Sequence, residues 1–477
     1  MSSVNGRQPP VGPAVALPSP ASAAAPDAPY VSEVDWGVVS RLRAGIAVRL
    51  EEQRRRPGYE GMDAADERAL AVSLLGEEIE AWLVELTAAE RPAPEPEAER
   101  RLRAAVLAAL FGLGRLQPLL ERPEVENIHI QGCDRVLLEL ADGRWEQAPP
   151  VADSDAELVE LLAIYAARAG QTAREFSAAN PLLNLRLPAG GPLGARLAAA
   201  REVTPRPVVA IRVHRLARAG LEDLLRAGMV DPLLYEFLRA AVLAGLNIVI
   251  SGKPGVGKTT LLRALATEIP PGEHVVTIEQ EYELGLHVLG RPPLVTAMEA
   301  RQANAEGAGG IGLHELLTQA LRHSPSRVLV GEVRAGEVTA MLAALANGAA
   351  GGMCTIHAGS AAAVPTRIAQ LAQLSTPPLP AEAAWRFTAD AVDLILHLGR
   401  DRSGRYVREV LEVGPVSETP LPETTRLFAP GEADGRAVPA FQPSAGLRTR
   451  LAEVGFQVPW LHERGSGWPS AGNGGSW

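Results

Sequence analysis

The sequence predicts an α/β protein with a mostly parallel sheet in its second half, preceded by a small α/β domain and a helical region. Three observations carry that expectation. Between about residues 233 and 416, the apolar strand candidates NIVIS, HVVTIE, RVLVG, GMCTIH and DLILHLG are separated by stretches with helical spacing. Between the first strand candidate and the next helix lies a glycine-rich loop, SGKPGVGKTT. Ahead of this region, residues 118–216 read as short strands around one capped helix, and residues 33–117 read as almost wholly helical.

Taken in order, residues 1–32 are rich in Pro, Ala and Ser and are expected to be disordered. The stretches WGVVSRLRAGIAVRLEEQRRR, DERALAVSLLGEEIEAWLVELTAAE and EAERRLRAAVLAALFGLGRL have helical spacing, with RPAPEPE as a linker. VENIHIQG and RVLLELADGRWEQ read as strands with a turn at Asp142-Gly143. SDAELVELLAIYAARAG reads as a helix with Ser154 as N-cap and Glu157 three residues on. LLNLRLPAG and PVVAIRVHRL add further strands, and residues 217–232 read as an interdomain linker. Residues 417–477 are rich in Pro, Gly and Glu and are expected to be a largely disordered tail, with a short helix near 445–454.

At 477 residues the chain has room for two or three domains. A net charge of −10 argues against a general nucleic-acid binder, which carries a basic surface. Cys133 and Cys354 are too far apart in sequence for metal-ligand spacing and read as thiols in a reducing compartment. No apolar run reaches transmembrane length, and the N-terminus lacks a basic region followed by an apolar core. The expectation is a cytoplasmic protein that reaches a membrane only through partners.

Lys253 and Lys258 are the only lysines among 46 basic residues. In so arginine-biased a chain, a lysine persists most readily where the wide guanidinium does not fit. Gly252, Gly257, Lys258 and Thr259 match G-x-x-x-x-G-K-[ST], between a strand and a helix. The loop residues Gly252, Lys253, Pro254, Gly255, Val256, Gly257, Lys258, Thr259 and Thr260 are therefore the candidate phosphate cradle. In such a loop Lys258 reaches the β- and γ-phosphates and the Thr259 hydroxyl takes Mg²⁺. Pro254, with no N–H, belongs at the outer bend, and Lys253 reads as a solvated loop side chain.

Hydrolysis also needs an acid. RVLVGEVR places Glu332 at a strand's C-terminal end, where it can hold Mg²⁺ through water or polarise the attacking water. HVVTIEQEYEL offers Glu279, read as acting on the water or the Mg²⁺ shell, and Glu283, for which a solvated helix start is an equal alternative. His357 in CTIHAGS is a candidate sensor of the γ-phosphate. Arg301, Arg322, Arg334 and Arg367, and from the preceding domain Arg186, Arg196, Arg212 and Arg215, are candidates to stabilise phosphate charge.

Over roughly residues 100–415 the chain resembles the TadA/CpaF branch of secretion and pilus-assembly ATPases, relatives of the VirB-type traffic ATPases. The resemblance rests on FGLGRLQPLL, VENIHIQG, LLNLRLPAG, AIRVHR, SGKPGVGKTTLLRAL, VVTIEQEYEL, EARQANAEGAGGIGLHELLTQALRHSPSRVLVGEVRAGE and CTIHAGS, in that order. It implies an N-terminal domain joined by a flexible linker to a RecA-like ATPase domain, in a ring that is usually a hexamer, with ATP bound between the two domains. It implies Lys258 and Thr259 as Walker A residues, Glu279 as the first acid of the acidic box, Glu332 as the Walker B glutamate and His357 as the histidine of S-T-I-H-A. Arg301 and Arg322 match the conserved-motif arginines, and Arg186 and Arg212 the arginines of the N-terminal domain. Arg196 has no fixed register, because GGPLGAR departs from the family's turn.

Two other departures matter. Gln280 stands where the acidic box usually has Asp, and Asn347-Gly-Ala-Ala-Gly351 replaces T-G-H-D-G, with Ala349 in place of its histidine. The resemblance further implies inner-membrane platform proteins of a pilus or secretion system as partners, and rotation of the domains about the linker as the source of force. No direct nucleic-acid partner is expected. Competing readings are a RecA-like DNA motor, a conjugative DNA-transfer ATPase, and a nucleotide-binding ring with degenerate hydrolysis.

Overall fold

The computed structural model describes residues 34–55, 63–168, 175–214, 219–304, 307–346, 350–402 and 404–457. The chain divides into two compact units, residues 1–111 and 112–477. The expected N-terminal tail, and the last part of the expected C-terminal tail, lie outside the described residues.

In the first unit, three helices span Trp36–Arg54, Ala64–Ala88 and Pro96–Phe111. Asp35 and Asp63 start the first two, each carboxylate accepting two N–H groups of the opening turn. Val39, Leu42, Ile46 and Leu50 follow helical spacing and pack with Leu74, Leu75, Ile79, Leu102 and Val106. The helical region ends earlier than the expected residue 117. The turn Gly114–Leu116 and the helix Gln117–Glu121 belong to the second unit, because Leu119 and Leu120 are buried there.

The second unit holds two sheets. The first comprises β1 (Val125–Gln131), β2 (Arg135–Leu140), β3 (Trp145–Ala148), β4 (Leu182–Leu187), β5 (Ala195–Ala200) and β6 (Val208–Val213). Its order is β3-β2-β1-β6-β5-β4 and every pairing is antiparallel. Burial alternates along its strands, so one side packs and the other carries Arg135, Glu139, Asn184, Arg186 and Arg212 beside a few apolar residues. β5, with the sequence ARLAAA, is the strand that pattern reading passes over, since alanine is a poor strand former.

The second sheet comprises β7 (Ile248–Ser251), β8 (His274–Glu279), β9 (Leu294–Glu299), β10 (Arg327–Val333), β11 (Met353–Ile356), β12 (Leu394–Asp401), β13 (Gly404–Val416), β14 (Pro422–Pro430) and β15 (Ala437–Pro439). Its order is β15-β14-β13-β12-β7-β11-β10-β8-β9. The run from β12 to β9 is parallel, and β13, β14 and β15 add on antiparallel. β7 is buried at every residue between β12 and β11, which explains why it reads as an unbroken apolar run. The helices Pro232–Leu243 and Lys258–Ala266 supply one apolar layer, and Val338–Ala346 and Val364–Ala372 contribute to a second.

Two boundaries need correcting. The expected linker 217–232 contains a helix, Leu221–Arg226, started by the Asp223 carboxylate on the Gly220 N–H, with Leu221 and Leu224 in the core. The expected disordered tail 417–477 is instead built into the sheet as far as residue 457, through β14, β15 and the helix Ala445–Glu453. Its sparse apolar residues drive this: Leu427, Phe428, Ala437, Leu451 and Phe456 are buried. Phe237 meets Phe428 and Phe456 edge-on, with ring centroids 5.2 and 5.7 Å apart. Phe428→Ala is therefore expected to destabilise the unit by about 3–5 kcal/mol. Urea denaturation checks this; a change below about 0.5 kcal/mol, as for a surface site, would show that the segment does not contribute to the core.

Candidate nucleotide-binding site

The glycine loop leaves β7 at Ser251 and enters the helix Lys258–Ala266. Gly252 and Gly257 take positive φ, +152° and +93°, and a Cβ on Gly252 would stand 2.8 Å from Val256 Cγ2. Only glycine lets the loop close over the buried Val256. Lys253 and Pro254 lie on the exposed outer bend. Gly257 caps the helix without a side chain, so the first N–H groups face the loop interior, a geometry suited to phosphate oxygens.

Lys258 is 7% exposed and folds back over its own loop. Its Nζ donates to the carbonyls of Gly252 (3.3 Å) and Lys253 (3.2 Å) and lies 3.2 Å from His357 Nδ1. Burial pushes its pKa below the ordinary lysine value, against the pull of the Glu332 charge. His357 Nε2 is 2.6 Å from Glu332 Oε1, and Arg334 Nη2 donates to Glu332 Oε2 at 2.6 Å. An ammonium offers only donors, so His357 Nδ1 accepts and the ring's proton is assigned to Nε2; the Nε2 approach to Glu332 Oε1 is a close contact and not a hydrogen bond, and Oε1 is buried without one. Lysine, histidine and glutamate thus form one connected row. Burial raises the Glu332 pKa, but Arg334, His357 and Lys258 together outweigh it and keep the carboxylate below its usual range.

Glu279 lies deeper, 2% exposed. Its Oε1 accepts the N–H groups of Glu283 (2.9 Å) and Leu284 (2.7 Å), while Oε2 is buried without a partner. Its role in this geometry is to hold the following loop. Glu283 in turn accepts from the Thr259 hydroxyl at 3.3 Å, so it is part of the site rather than a solvated helix start. Burial raises Glu279 to about 7, against its two backbone hydrogen bonds. Because the folded value exceeds the unfolded one, the neutral acid's contribution is complete at acid pH and lost as pH rises through about 7. Stability is expected to fall between about pH 4.5 and about pH 7 by on the order of 3 kcal/mol. Glu279→Gln should flatten that dependence; urea midpoints across the range measure it, and an equally steep profile in the variant would exclude Glu279 as its source.

The antiparallel sheet brings an arginine from each of three adjacent strands into line. Arg186 pairs with Arg196, and Arg196 with Arg212. Arg196 Nε is 3.1 Å from Glu281 Oε1; Arg186 Nε is 3.7 Å from Glu299 Oε2 and its guanidinium lies 5.2 Å from the Tyr282 ring. Two members of the row, Arg196 and Arg186, therefore meet Glu281 and Tyr282 after β8 and Glu299 at the end of β9. The sequence alone fixes no register for Arg196 and gives Glu281 no motif role. The available signal was the alternation Glu279, Glu281, Glu283.

Arg301 and Arg322 are not drawn into this cluster. Arg301 donates to the Gly309 carbonyl at 2.6 Å, and Arg322 is exposed in the turn Leu321–His323. The local backbone explains both: Arg301 is tied by its main chain to Ile311, and the turn follows the helix Leu313–Ala320 out to the surface. Gln280 is exposed, and Arg215 and Ala349 lie outside the described residues. Among the described residues, no group of three or more His, Cys, Asp or Glu is arranged to hold a metal, and no helix is long and apolar enough to cross a membrane.

Residues 113–401 match the family model described as type II/IV secretion system protein. The chain belongs to that family. It is 35% identical over 304 residues to a putative conjugal transfer protein of Mycobacterium tuberculosis, covering 62% of this chain and 82% of that one. It is 30% identical over 331 residues to the type IV secretion system protein VirB11 of Brucella suis, covering 63% and 89%. Aligned with the crystal structure of the Brucella suis VirB11 ATPase in complex with sulphate, it shows 27% identity and a TM-score of 0.34, over 63% of this chain and 96% of that one.

Proposed function

We propose that the chain is a Mg²⁺-dependent ATPase that works as a hexameric ring, docked on the inner face of the cell membrane. In this reading it powers Tad/Flp-type pilus assembly or type II/IV secretion through inner-membrane platform proteins. The observation that carries the reading is the row Lys258–His357–Glu332 at the mouth of the glycine loop. Bound Mg²⁺–ATP supplies the phosphoanhydride bond and the metal charge that offsets the phosphates. Lys258 and the N-terminus of its helix bind phosphate oxygens, and Thr259 and Glu332 hold the metal, Glu332 through water. Glu332, kept ionised by its neighbours, takes the proton of the attacking water. His357 touches both Lys258 and Glu332, so it is placed to relay a change at one to the other. Glu279 positions the loop carrying Glu281 and Glu283, and the row Arg186, Arg196 and Arg212 presents positive charge to that loop. Arg301 and Arg322 act, in this reading, on the site of a neighbouring ring subunit.

The likeness to a putative conjugal transfer protein favours a second reading, ATP-driven DNA transfer. The net charge of −10 weighs against direct DNA contact. Phosphate release with and without single-stranded DNA, alongside light-scattering mass with and without nucleotide, separates the two. The motor reading expects indifference to DNA and a nucleotide-stabilised ring. Strong stimulation by DNA would overturn it in favour of DNA transfer.

A further inference from the structure

The glycine loop lies between two neighbours with different chemistry. On one side of β7 are β11 and β10, which carry His357 and Glu332 to the amine of Lys258. On the other side is the hairpin of β12 and β13, which bends back next to the loop. Arg405, near the start of β13, rests its stem over the loop: its Cδ lies 3.2 Å from where a Cβ on Gly257 would stand. Arg405 is exposed, and among the described residues its guanidinium makes no hydrogen bond or ion pair. It is paired directly with Arg400 on β12. Two like charges opposed across a ladder repel unless an anion lies between or beside them. Leu398 and Val407 pair on the same sheet face two residues further in, and both are buried against the layer that contains the helix Lys258–Ala266. The arginine pair therefore extends that face to the rim of the loop.

We propose that Arg405, with Arg400 beside it, contacts the α-phosphate and ribose end of the bound nucleotide. The inference rests on the nucleotide-binding reading above. If the terminal phosphate is handled at Lys258, His357 and Glu332, the rest of the molecule leaves the loop on its other side, where this pair adds positive charge at the rim. Such a contact is made equally with ATP and ADP, so it contributes to binding and not to the chemical step. That separates it from Arg186 and Arg196, whose partners are Glu299 and Glu281.

Calorimetric titration of the full chain with unlabelled ADP and ATP in Mg²⁺ tests this. Arg405→Ala is expected to weaken both nucleotides alike, by about tenfold, the value of a lost charge-assisted hydrogen bond. Arg400→Ala should act in the same direction by less, and Arg405→Lys should recover part of the loss. The remote exposed substitution Arg448→Ala should leave both affinities unchanged. Unchanged affinities in Arg405→Ala would overturn the inference while leaving nucleotide binding intact, and so would a loss confined to ATP, which would place the contact at the γ-phosphate. Wild-type protein that binds neither nucleotide would overturn the underlying reading and this inference with it.

Discussion

Lys258→Ala is expected to abolish nucleotide binding within the measurable range, weakening it at least about a hundredfold, the scale of losing a buried charge-assisted contact together with its local field. The amine is already positioned, over the Gly252 and Lys253 carbonyls, and lies in a buried setting where its charge is poorly screened. Lys258→Arg is expected to fail nearly as fully. The amine sits 3.2–3.3 Å from those carbonyls and from His357, and a planar guanidinium does not fit that space. Calorimetry with ADP checks both. Near-normal binding by the arginine variant would remove the reason for a lysine at this position in a chain with only two.

Glu332→Gln is expected to separate binding from turnover. Glutamine keeps the size of the side chain and an oxygen for Arg334, but it neither takes a proton nor carries charge. Turnover should fall by about 10²–10³-fold, the usual contribution of a positioned general base. Binding should hold or tighten, because the Glu332 charge now partly neutralises Lys258 and Arg334. Phosphate release beside calorimetric titration reads both. Turnover within about twofold of wild type, far short of a base's contribution, would assign the base to another acid, with Glu283 next in line through its contact with Thr259.

The parts of this site that read directly from sequence are local ones. The loop Gly252–Gly257 and the helix after it are contiguous, and so is the strand that ends near Glu332. The arginine row is not local: it depends on the register of three strands, one of which is nearly all alanine and gives no strand signal of its own. Arg301 and Arg322 came from motif order alone, and the backbone around them takes their side chains elsewhere within one chain. The part of the tail described, as far as residue 457, departs from the sequence expectation for a compositional reason. Its Pro and Gly content conceals a few apolar residues, and Phe428 and Phe456 suffice to seat it because they close over Phe237. Arg405 carried no motif at all; its closeness to Gly257 comes from a hairpin that returns nearly 150 residues later in the chain.

Steady-state phosphate release by the purified full chain in Mg²⁺–ATP, beside Lys258→Ala and Glu332→Gln, tests the central claim most directly. The account predicts wild-type turnover that is lost in both variants. Wild-type release no higher than that of the variants at saturating ATP would contradict it, and would leave a ring that holds nucleotide without hydrolysing it.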